Sequence, residues 1–144
     1  MKTQNYEHHA RIDPAFHGVL FLTLLLTWIG AGVNLWKSMG DHARLYSAAL
    51  LFVLTFAVLL LAFICRIYSL KAQDRAIRAE ENLRHYVLTG KLLDSRLGPK
   101  QIVALRFAAD AEFVELARKA ADEGMEPDAI KKSVKEWRAD HYRV

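Results

Sequence analysis

The fold is decided by LYSAALLFVLTFAVLLLAFIC, the stretch at 45–65, which holds 21 residues and no charge. A second uncharged run, GVLFLTLLLTWIGAGVNLW at 18–36, precedes it, and eight residues lie between the two runs. At about 1.5 Å of rise per helical residue, the runs reach roughly 32 and 28 Å, and a bilayer hydrocarbon core is about 30 Å thick. The pair therefore predicts two transmembrane helices joined by a short outer loop at 37–44.

Two other interpretations of these runs are weaker. A buried helical pair in a soluble domain would need cover on every side, and 144 residues are too few to cover the second run, which is apolar all round. A cleaved signal peptide has an apolar region of about 7–15 residues, which is shorter than the first run, and here a second span follows. We therefore expect an uncleaved membrane anchor.

The basic residues predict the orientation of the two spans. The connecting loop carries two of them, Lys37 and Arg44. The two flanks together carry seven, namely Lys2, Arg11, Arg66, Lys71, Arg75, Arg78 and Arg84. By the positive-inside rule both termini lie in the cytoplasm. We expect an N-terminal cytoplasmic segment at 1–15, a transmembrane hairpin at 16–67 and a cytoplasmic tail at 68–144.

Glycine and proline divide the predicted tail into helices. The second span continues as a long juxtamembrane helix to about Leu88, and Gly90 ends it. Pro99 and Pro127 begin two shorter helices, and Asp110 caps a third between them. We expect the three at about 99–107, 110–124 and 127–137. The predicted fold is an all-α membrane protein, a two-helix transmembrane hairpin followed by a cytoplasmic tail of one long helix and about three short helices.

The first span contains a predicted helix-packing face. Thr23, Thr27, Gly30 and Asn34 fall within a strip roughly 60° wide at about 100° per residue. Small and hydroxylated residues let helix backbones approach closely, and asparagine hydrogen-bonds across helices in lipid. The simplest partner is the second span of the same chain, and self-association through this face is the alternative.

Candidate chemistry outside the spans is sparse. Asp74, Glu81 and His85 share one face of the juxtamembrane helix, a spacing that suits a divalent metal, but Arg78 lies in the same strip and favours ion pairing. His8 and His9 belong to a second titratable cluster before the membrane. These five are metal candidates that we rank below a structural role. Cys65 is alone, so no intrachain disulfide forms.

No signature of catalysis or of nucleic-acid binding stands out. The sequence has no glycine-rich phosphate loop, nucleophile elbow or CxxC motif. Residues 99–144 hold nine basic and nine acidic side chains, a balance that does not attract phosphate. We therefore predict no catalytic residue, no cofactor and no nucleic-acid partner.

Four strings outside the apolar runs carry a resemblance. They are KTQNYEHHARIDPAFH at 2–17, DRAIRAEENLRHYVLTGKLLDSRL at 74–97, ALRFAADAEF at 104–113 and WRADHYRV at 137–144. On these strings the chain resembles, over essentially its whole length, an uncharacterised family of small bacterial two-span membrane proteins. The resemblance implies a bacterial inner-membrane protein of the same design, and no activity or catalytic residue comes with it.

The polar strings outside the lipid are expected to meet on one side of the membrane. We predict an inner-face polar cluster that locks the tail against the membrane face. Its members are Arg11, Asp13, Arg75, Arg78, Glu80, Glu81, Arg84, His85, Trp137, Arg138, Asp140 and His141.

These observations favour a non-enzymatic scaffold or assembly subunit in the membrane. Its partners would be the lipid bilayer and either a second copy or another protein, which docks on the tail. Two alternatives remain open at this point. One is a small membrane enzyme or metal-dependent component that uses the inner-face histidines and carboxylates, and the other is an accessory subunit of a transporter.

Overall fold

A computed structural model of the chain describes residues 4–7 and 13–140. After a π-helical segment at Pro14–Leu20, five α-helices follow: α1 at Phe21–Lys37, α2 at His42–Thr89, α3 at Pro99–Leu105, α4 at Asp110–Glu123 and α5 at Pro127–Ser133. No strand occurs in the described residues, where one isolated antiparallel bridge joins Ala108 and Trp137. The all-α prediction is confirmed at this level.

The chain divides into two compact units, and α2 contributes residues to both. We call residues 11–69 the apolar unit, and residues 1–10 together with 70–144 the tail unit. Each unit is described on its own below.

Side chains of aspartate cap the starts of both helical stretches in the apolar unit. The Asp13 carboxylate accepts hydrogen bonds from the backbone N–H groups of Ala15 and Phe16, at 2.8 and 3.3 Å, and so caps the π-helical segment. Asp41 caps the start of α2 in the same way, because its side chain accepts from the Ala43 N–H at 3.0 Å. The first turns of both helical stretches therefore have their N–H groups satisfied by a preceding carboxylate.

Within the apolar unit, α1 contacts α2 through aromatic rings. The Trp28 ring lies 5.6 Å from the rings of both Phe52 and Phe56, and Phe21 lies 5.7 Å from Phe63. Gly32 lies against Phe52, since a Cβ atom at Gly32 would be in van der Waals contact with Phe52 Cε2, at 3.4 Å. Aromatic rings packed edge-on or offset bury large apolar areas, so they determine which side of α1 faces α2.

In the structure the small and polar strip on α1 does not face α2. Thr23, Thr27, Gly30 and Asn34 are all exposed, and the side of α1 that contacts α2 is rotated from them by roughly 120°. Thr27 instead bonds its own helix, donating to the Thr23 carbonyl at 2.7 Å. The Thr27 hydroxyl thus has its partner on its own backbone, whereas the bulky rings of α1 pack against the neighbouring helix.

Two helical stretches, Pro14–Lys37 and His42–Thr89, are long and apolar enough to cross a membrane by length and composition. Their most apolar windows have only 6% and 11% of their residues buried. Exposed residues there include Val19, Leu26, Val53 and Leu61, with more than half of each side chain accessible. The surface of these helices is therefore unlike that of core helices in a soluble domain.

In the tail unit, α3, α4 and α5 enclose a small apolar core. Phe113, Ile102, Leu105 and Ile130 are almost completely buried. Leu93 and Leu97, from the loop after α2, join the same core. The three short helices alone contain few large apolar residues, and the loop after α2 enlarges their core.

Glycine and proline end and begin the tail helices largely as predicted. Gly90 and Gly124 adopt left-handed backbone angles, with φ of 73° and 61°, directly after α2 and α4. Pro99 and Pro127 are the first residues of α3 and α5. Asp110 is the first helical residue of α4, and Ala109 takes the capping position that we had given to Asp110.

The last helix ends earlier than predicted. It stops at Ser133, and Val134 is already extended, so Trp137 is not helical. The Glu112 carboxylate accepts hydrogen bonds from the N–H groups of Lys135 and Glu136 at 3.0–3.1 Å. Contacts with α4 therefore draw this segment out of the helix, although its apolar spacing would have allowed another turn.

Filling the space beside Phe52 should loosen the apolar unit. A Cβ at Gly32 would already be in contact with Phe52, so the further atoms of leucine in Gly32→Leu should overpack this site, at a cost of about 1–3 kcal/mol of unfolding free energy. Gly30→Leu is the matched control, because no atom lies within 4 Å of a Cβ there. Denaturant unfolding of the full chain in detergent micelles measures the unfolding free energy of both variants. Equal losses for the two variants would contradict the contact.

The loop after α2 should carry an acid-sensitive ion pair. Hydrogen bonds from Arg96 hold the pKa of Asp94 at about 2, below its ordinary value of 3.8. The folded pKa is depressed, so the contribution of Asp94 to stability is complete above about pH 4 and disappears as pH falls through 2. Nuclear magnetic resonance titration of the Asp94 carboxyl carbon should report this pKa. Arg96→Ala should raise it, and an unchanged value would contradict the pairing.

Candidate functional site

The candidate site is centred on Glu81, a carboxylate that is only 5% exposed. Glu81 and Ile77 lie four residues apart on α2 and face the tail core, and both are buried. A buried carboxylate needs ion pairs and hydrogen bonds, because its transfer out of water costs roughly several kcal/mol of free energy. The side chains that approach Glu81 therefore define the site.

Arg84 supplies the main partner of Glu81. Its Nη1 donates to Glu81 Oε2 at 2.9 Å, Nε donates to Asp110 Oδ1 at 2.7 Å, and Nη2 donates to the Ala108 carbonyl at 2.7 Å. The Arg84 side chain is 11% exposed and its guanidinium lies over the Phe113 ring at 4.1 Å. The planar guanidinium has several N–H donors that point in fixed directions and reach all three acceptors, whereas the single ammonium group of a lysine would not.

Asp110 is well placed to receive this arginine. It lies in the first turn of α4, where free backbone N–H groups favour a negative charge. Its own side chain is 68% exposed, so the part of the site towards Asp110 is wetter than the part around Glu81. Arg84 thus joins the end of α2 to the start of α4 across 26 residues of chain.

A second arginine reaches Glu81 from the segment after α5. This segment runs beside residues 106–109, with Ala109 N–H donating to the Glu136 carbonyl at 3.1 Å and Arg138 N–H donating to the Phe107 carbonyl at 2.7 Å. The Trp137 ring packs against the Phe107 ring in a tilted arrangement, with the ring centroids 4.9 Å apart, and adds an apolar contact. Arg138 Nη1 then lies 3.6 Å from Glu81 Oε1, so both carboxylate oxygens have a cation beside them.

Two N-terminal residues contact the C-terminal part of the tail, Gln4 at the segment after α5 and Tyr6 at α5 itself. Gln4 and Asp140 exchange two hydrogen bonds, from Gln4 Nε2 to the Asp140 carbonyl at 2.9 Å and from the Asp140 N–H to Gln4 Oε1 at 2.8 Å. Tyr6 donates to Asp128 Oδ1 at 2.7 Å. Lys132 lies 2.9 Å from Asp128 as well. Hydrogen bonds from Lys132 and Tyr6 lower the pKa of Asp128, and the hydrogen bond to Asp128 raises the pKa of Lys132.

Two open clefts of about 310 Å³ each adjoin the Glu81 cluster. Both are lined by Glu80, Glu81 and Arg138. One of them continues to Arg106 and Asp140, whose side chains approach to 3.3 Å, and the other continues to Arg84 and Asp110. Each cleft therefore mixes charges of both signs, and neither presents a uniform field to a charged ligand.

The metal candidates on α2 are not assembled into a site. Within the described residues no group of three or more His, Cys, Asp and Glu side chains is placed to hold a metal ion. Glu81 is engaged by the two arginines, and His85 Nδ1 lies 2.7 Å from the Lys91 carbonyl, which requires a proton on that nitrogen. Asp74 joins neither contact. His8 and His9 lie outside the described residues.

The predicted inner-face cluster is divided by the structure. Glu81, Arg84, Trp137, Arg138 and Asp140 take part in the contacts given above. Arg75, Arg78 and Glu80 are exposed on α2, and in the described part of the chain none of their side chains makes a hydrogen bond or an ion pair. Asp13 caps the π-helical segment of the apolar unit, while Arg11 and His141 lie outside the described residues.

Several residues of the site were missed in the sequence. The sequence predicts Asp110 only as a helix cap, and it predicts no site role for Arg106, Glu112 or Gln4. Each of them bonds a group at least 23 residues away, so no local spacing identifies its partner. The one available signal was their place in the quoted strings, with Gln4 in the string at 2–17 and Arg106, Asp110 and Glu112 in the string at 104–113.

The fold and the Glu81 cluster define a small helical protein with two long apolar helices and an ion-paired helical tail. The chain belongs to a family of unknown function, DUF6526, whose match covers residues 1–144. This confirms the resemblance to an uncharacterised family. No curated protein matches the chain, and no solved structure matches it either.

Removing Arg84 should unfold the tail far more readily than removing a neighbouring arginine. Arg84→Ala leaves Glu81 buried beside only Arg138, which is half-exposed and lies 3.6 Å away, and a buried pair broken in this way costs about 3–5 kcal/mol. Trypsin cleavage at exposed Arg118, inside α4, measures the loosening. Arg78→Ala is the control, because Arg78 is exposed and its loss should change the free energy by about 0.5 kcal/mol or less. Similar cleavage rates for both variants would refute the role of Arg84.

Proposed function

We propose that this protein is a non-enzymatic membrane scaffold, anchored by a transmembrane hairpin and acting through its helical tail. In this proposal α1 and the first part of α2 form the anchor in a bacterial inner membrane. The tail unit is a rigid docking module for a protein partner. The observation that carries the proposal is the combination of two almost wholly exposed apolar helices with a tail whose buried charges are already paired.

The exposed apolar surface supports insertion into lipid. At about −0.3 to −0.6 kcal/mol for each Val, Leu, Ile or Phe residue, the runs at 18–36 and 45–65 contribute on the order of −3 to −6 and −4 to −8 kcal/mol. Neither run contains an acidic or basic residue that would offset this gain. In water the same surface would instead drive aggregation.

The distribution of basic residues supports an orientation with both termini in the cytoplasm. Seven Lys and Arg residues flank the runs on the terminal sides, against two in the loop at 37–44. Arg66 lies at the end of the second run, where its guanidinium is 5.2 Å from the Phe16 ring centroid. An arginine at that depth extends towards the headgroups, so it also marks the cytoplasmic boundary in this proposal.

The Glu81 cluster supports an architectural role for the tail's charges. A general acid or base has to present a free oxygen or nitrogen to its substrate. Each Glu81 oxygen already has an arginine beside it, and Arg84 donates hydrogen bonds to Glu81, Asp110 and the Ala108 carbonyl. The cluster is thus suited to hold α2, α4 and the C-terminal segment in one arrangement that a partner can recognise.

The topology has a direct test in the full chain with Cys65 replaced by Ser. Gly40→Cys in the loop should react with a membrane-impermeant maleimide in intact spheroplasts, and Lys119→Cys on α4 should react only after lysis. Both variants should stay in the pellet after carbonate extraction. Release by carbonate would overturn the membrane assignment, and labelling of Lys119→Cys in intact spheroplasts would overturn the cytoplasmic orientation of the tail.

The scaffold role has its own test. Wild type, Arg84→Ala and Arg78→Ala are purified from native membranes in mild detergent, and the co-purifying proteins are identified by mass spectrometry. A partner that docks on the folded tail should accompany wild type and Arg78→Ala and should be depleted from Arg84→Ala, with all three proteins remaining in the membrane fraction. An identical set of proteins with all three variants would contradict docking through the tail.

A further inference from the structure

The side of α2 that faces away from the Glu81 cluster has no cover in the described residues. Leu83 and Tyr86 are 63% and 53% exposed there, and Ala72, Ala76 and Ala79 are also exposed. At about 100° per residue these side chains point away from Ile77, Glu81 and Arg84, which face the tail core. We call these five residues the outer seam.

The spacing of the outer seam is that of a coiled coil. Its members follow one another at intervals of four, three, four and three residues. This is the heptad repeat in which positions a and d meet a partner helix, with Ala76 and Leu83 at a and the other three at d. In the sequence the same intervals continue backwards through uncharged residues, namely Ser69, Cys65, Ala62 and Val58.

Charges beside the seam are complementary to those of an identical helix. In this register Arg75 occupies a g position and Glu80 the following e position. In a parallel, in-register pair, g of one helix lies beside the next e of the other, so the pair would form two symmetric Arg75–Glu80 contacts. Both side chains are exposed, and neither forms an ion pair within the described residues. An antiparallel pair would bring e to e and g to g, and so like charge to like charge.

We infer that the outer seam binds a second copy of this chain as a parallel two-stranded coiled coil over residues 72–86. The inference rests on the membrane anchoring proposed above, because two copies with the same topology present α2 in the same direction. Alanine at three of the five contact positions lets the helices approach closely, though it buries little area. Confinement to one membrane raises the effective concentration and compensates for the small contact.

Cysteine cross-linking in membranes tests the seam itself. The full chain carries Cys65→Ser together with Ala76→Cys, Ala79→Cys or Arg78→Cys. Positions 76 and 79 lie on the seam, and the exposed position 78 lies beside it at the same depth, so it is the matched control. The two seam variants should form disulfide-linked dimers about tenfold faster than Arg78→Cys, as expected when the pair is held in register. Equal rates for all three would show random collision and overturn the proposal.

Charge reversal tests the partner's identity and direction. Arg75→Glu and Glu80→Arg each place like charges opposite one another and should reduce dimerisation in vesicles, measured by energy transfer between labelled copies, about tenfold. The double variant restores both pairs with the signs exchanged and should recover wild-type dimerisation. A double variant no better than the singles would overturn the parallel register.

These outcomes separate the seam from the scaffold proposal. A protein that resists carbonate extraction and keeps its partner, but shows no seam cross-link, would refute the coiled coil and leave the scaffold intact. A carbonate-extractable protein would refute the membrane scaffold, and the parallel coiled coil would fall with it. Circular dichroism of each charge variant confirms that the helices are retained, so that a lost dimer is not a lost fold.

Discussion

The tail unit depends on the ion pair between Arg84 and Glu81. Glu81 is removed from water, so its charge has to be balanced where it lies, and Arg84 is the group that balances it at 2.9 Å. The same guanidinium bonds Asp110 at the start of α4 and the Ala108 carbonyl in the turn after α3. A displacement of α4 from α2 would therefore break several bonds at once and leave Glu81 with only Arg138 beside it, at 3.6 Å. The pair acts more as a constraint on arrangement than as a source of net stability.

The segment at 134–140 and the N-terminal residues complete this constraint. Trp137 packs against Phe107, and Glu112 accepts hydrogen bonds from the backbone N–H groups that a longer α5 would have used within the helix. Gln4 then closes the far end through its two hydrogen bonds with Asp140. Chain segments from opposite ends of the sequence thus meet on one small core, and that explains how a tail with few large apolar residues reaches a defined structure.

The two sides of α2 in the tail unit differ in chemistry. The inner side carries the buried charges and is complete within the chain, whereas the outer seam carries alanines, Leu83 and Tyr86 in a coiled-coil repeat and has no cover in the described residues. A scaffold needs both properties, since a rigid module presents a reproducible surface and an uncovered face allows assembly. In the proposed function the apolar helices add confinement to the membrane, which strengthens weak contacts between copies.

The sequence by itself determined the helical class, the positions of the two apolar helices and most helix ends. Gly90, Gly124, Pro99 and Pro127 act on their own backbone, so their effect is legible from their immediate neighbours. The contacting side of α1, the early end of α5 and the partners of Arg84 were decided only by the tertiary structure. Each of these depends on groups far apart in the chain, such as Trp28 with Phe52 or Arg84 with Asp110. A local pattern specifies which side chains are available, and packing in three dimensions selects which of them meet.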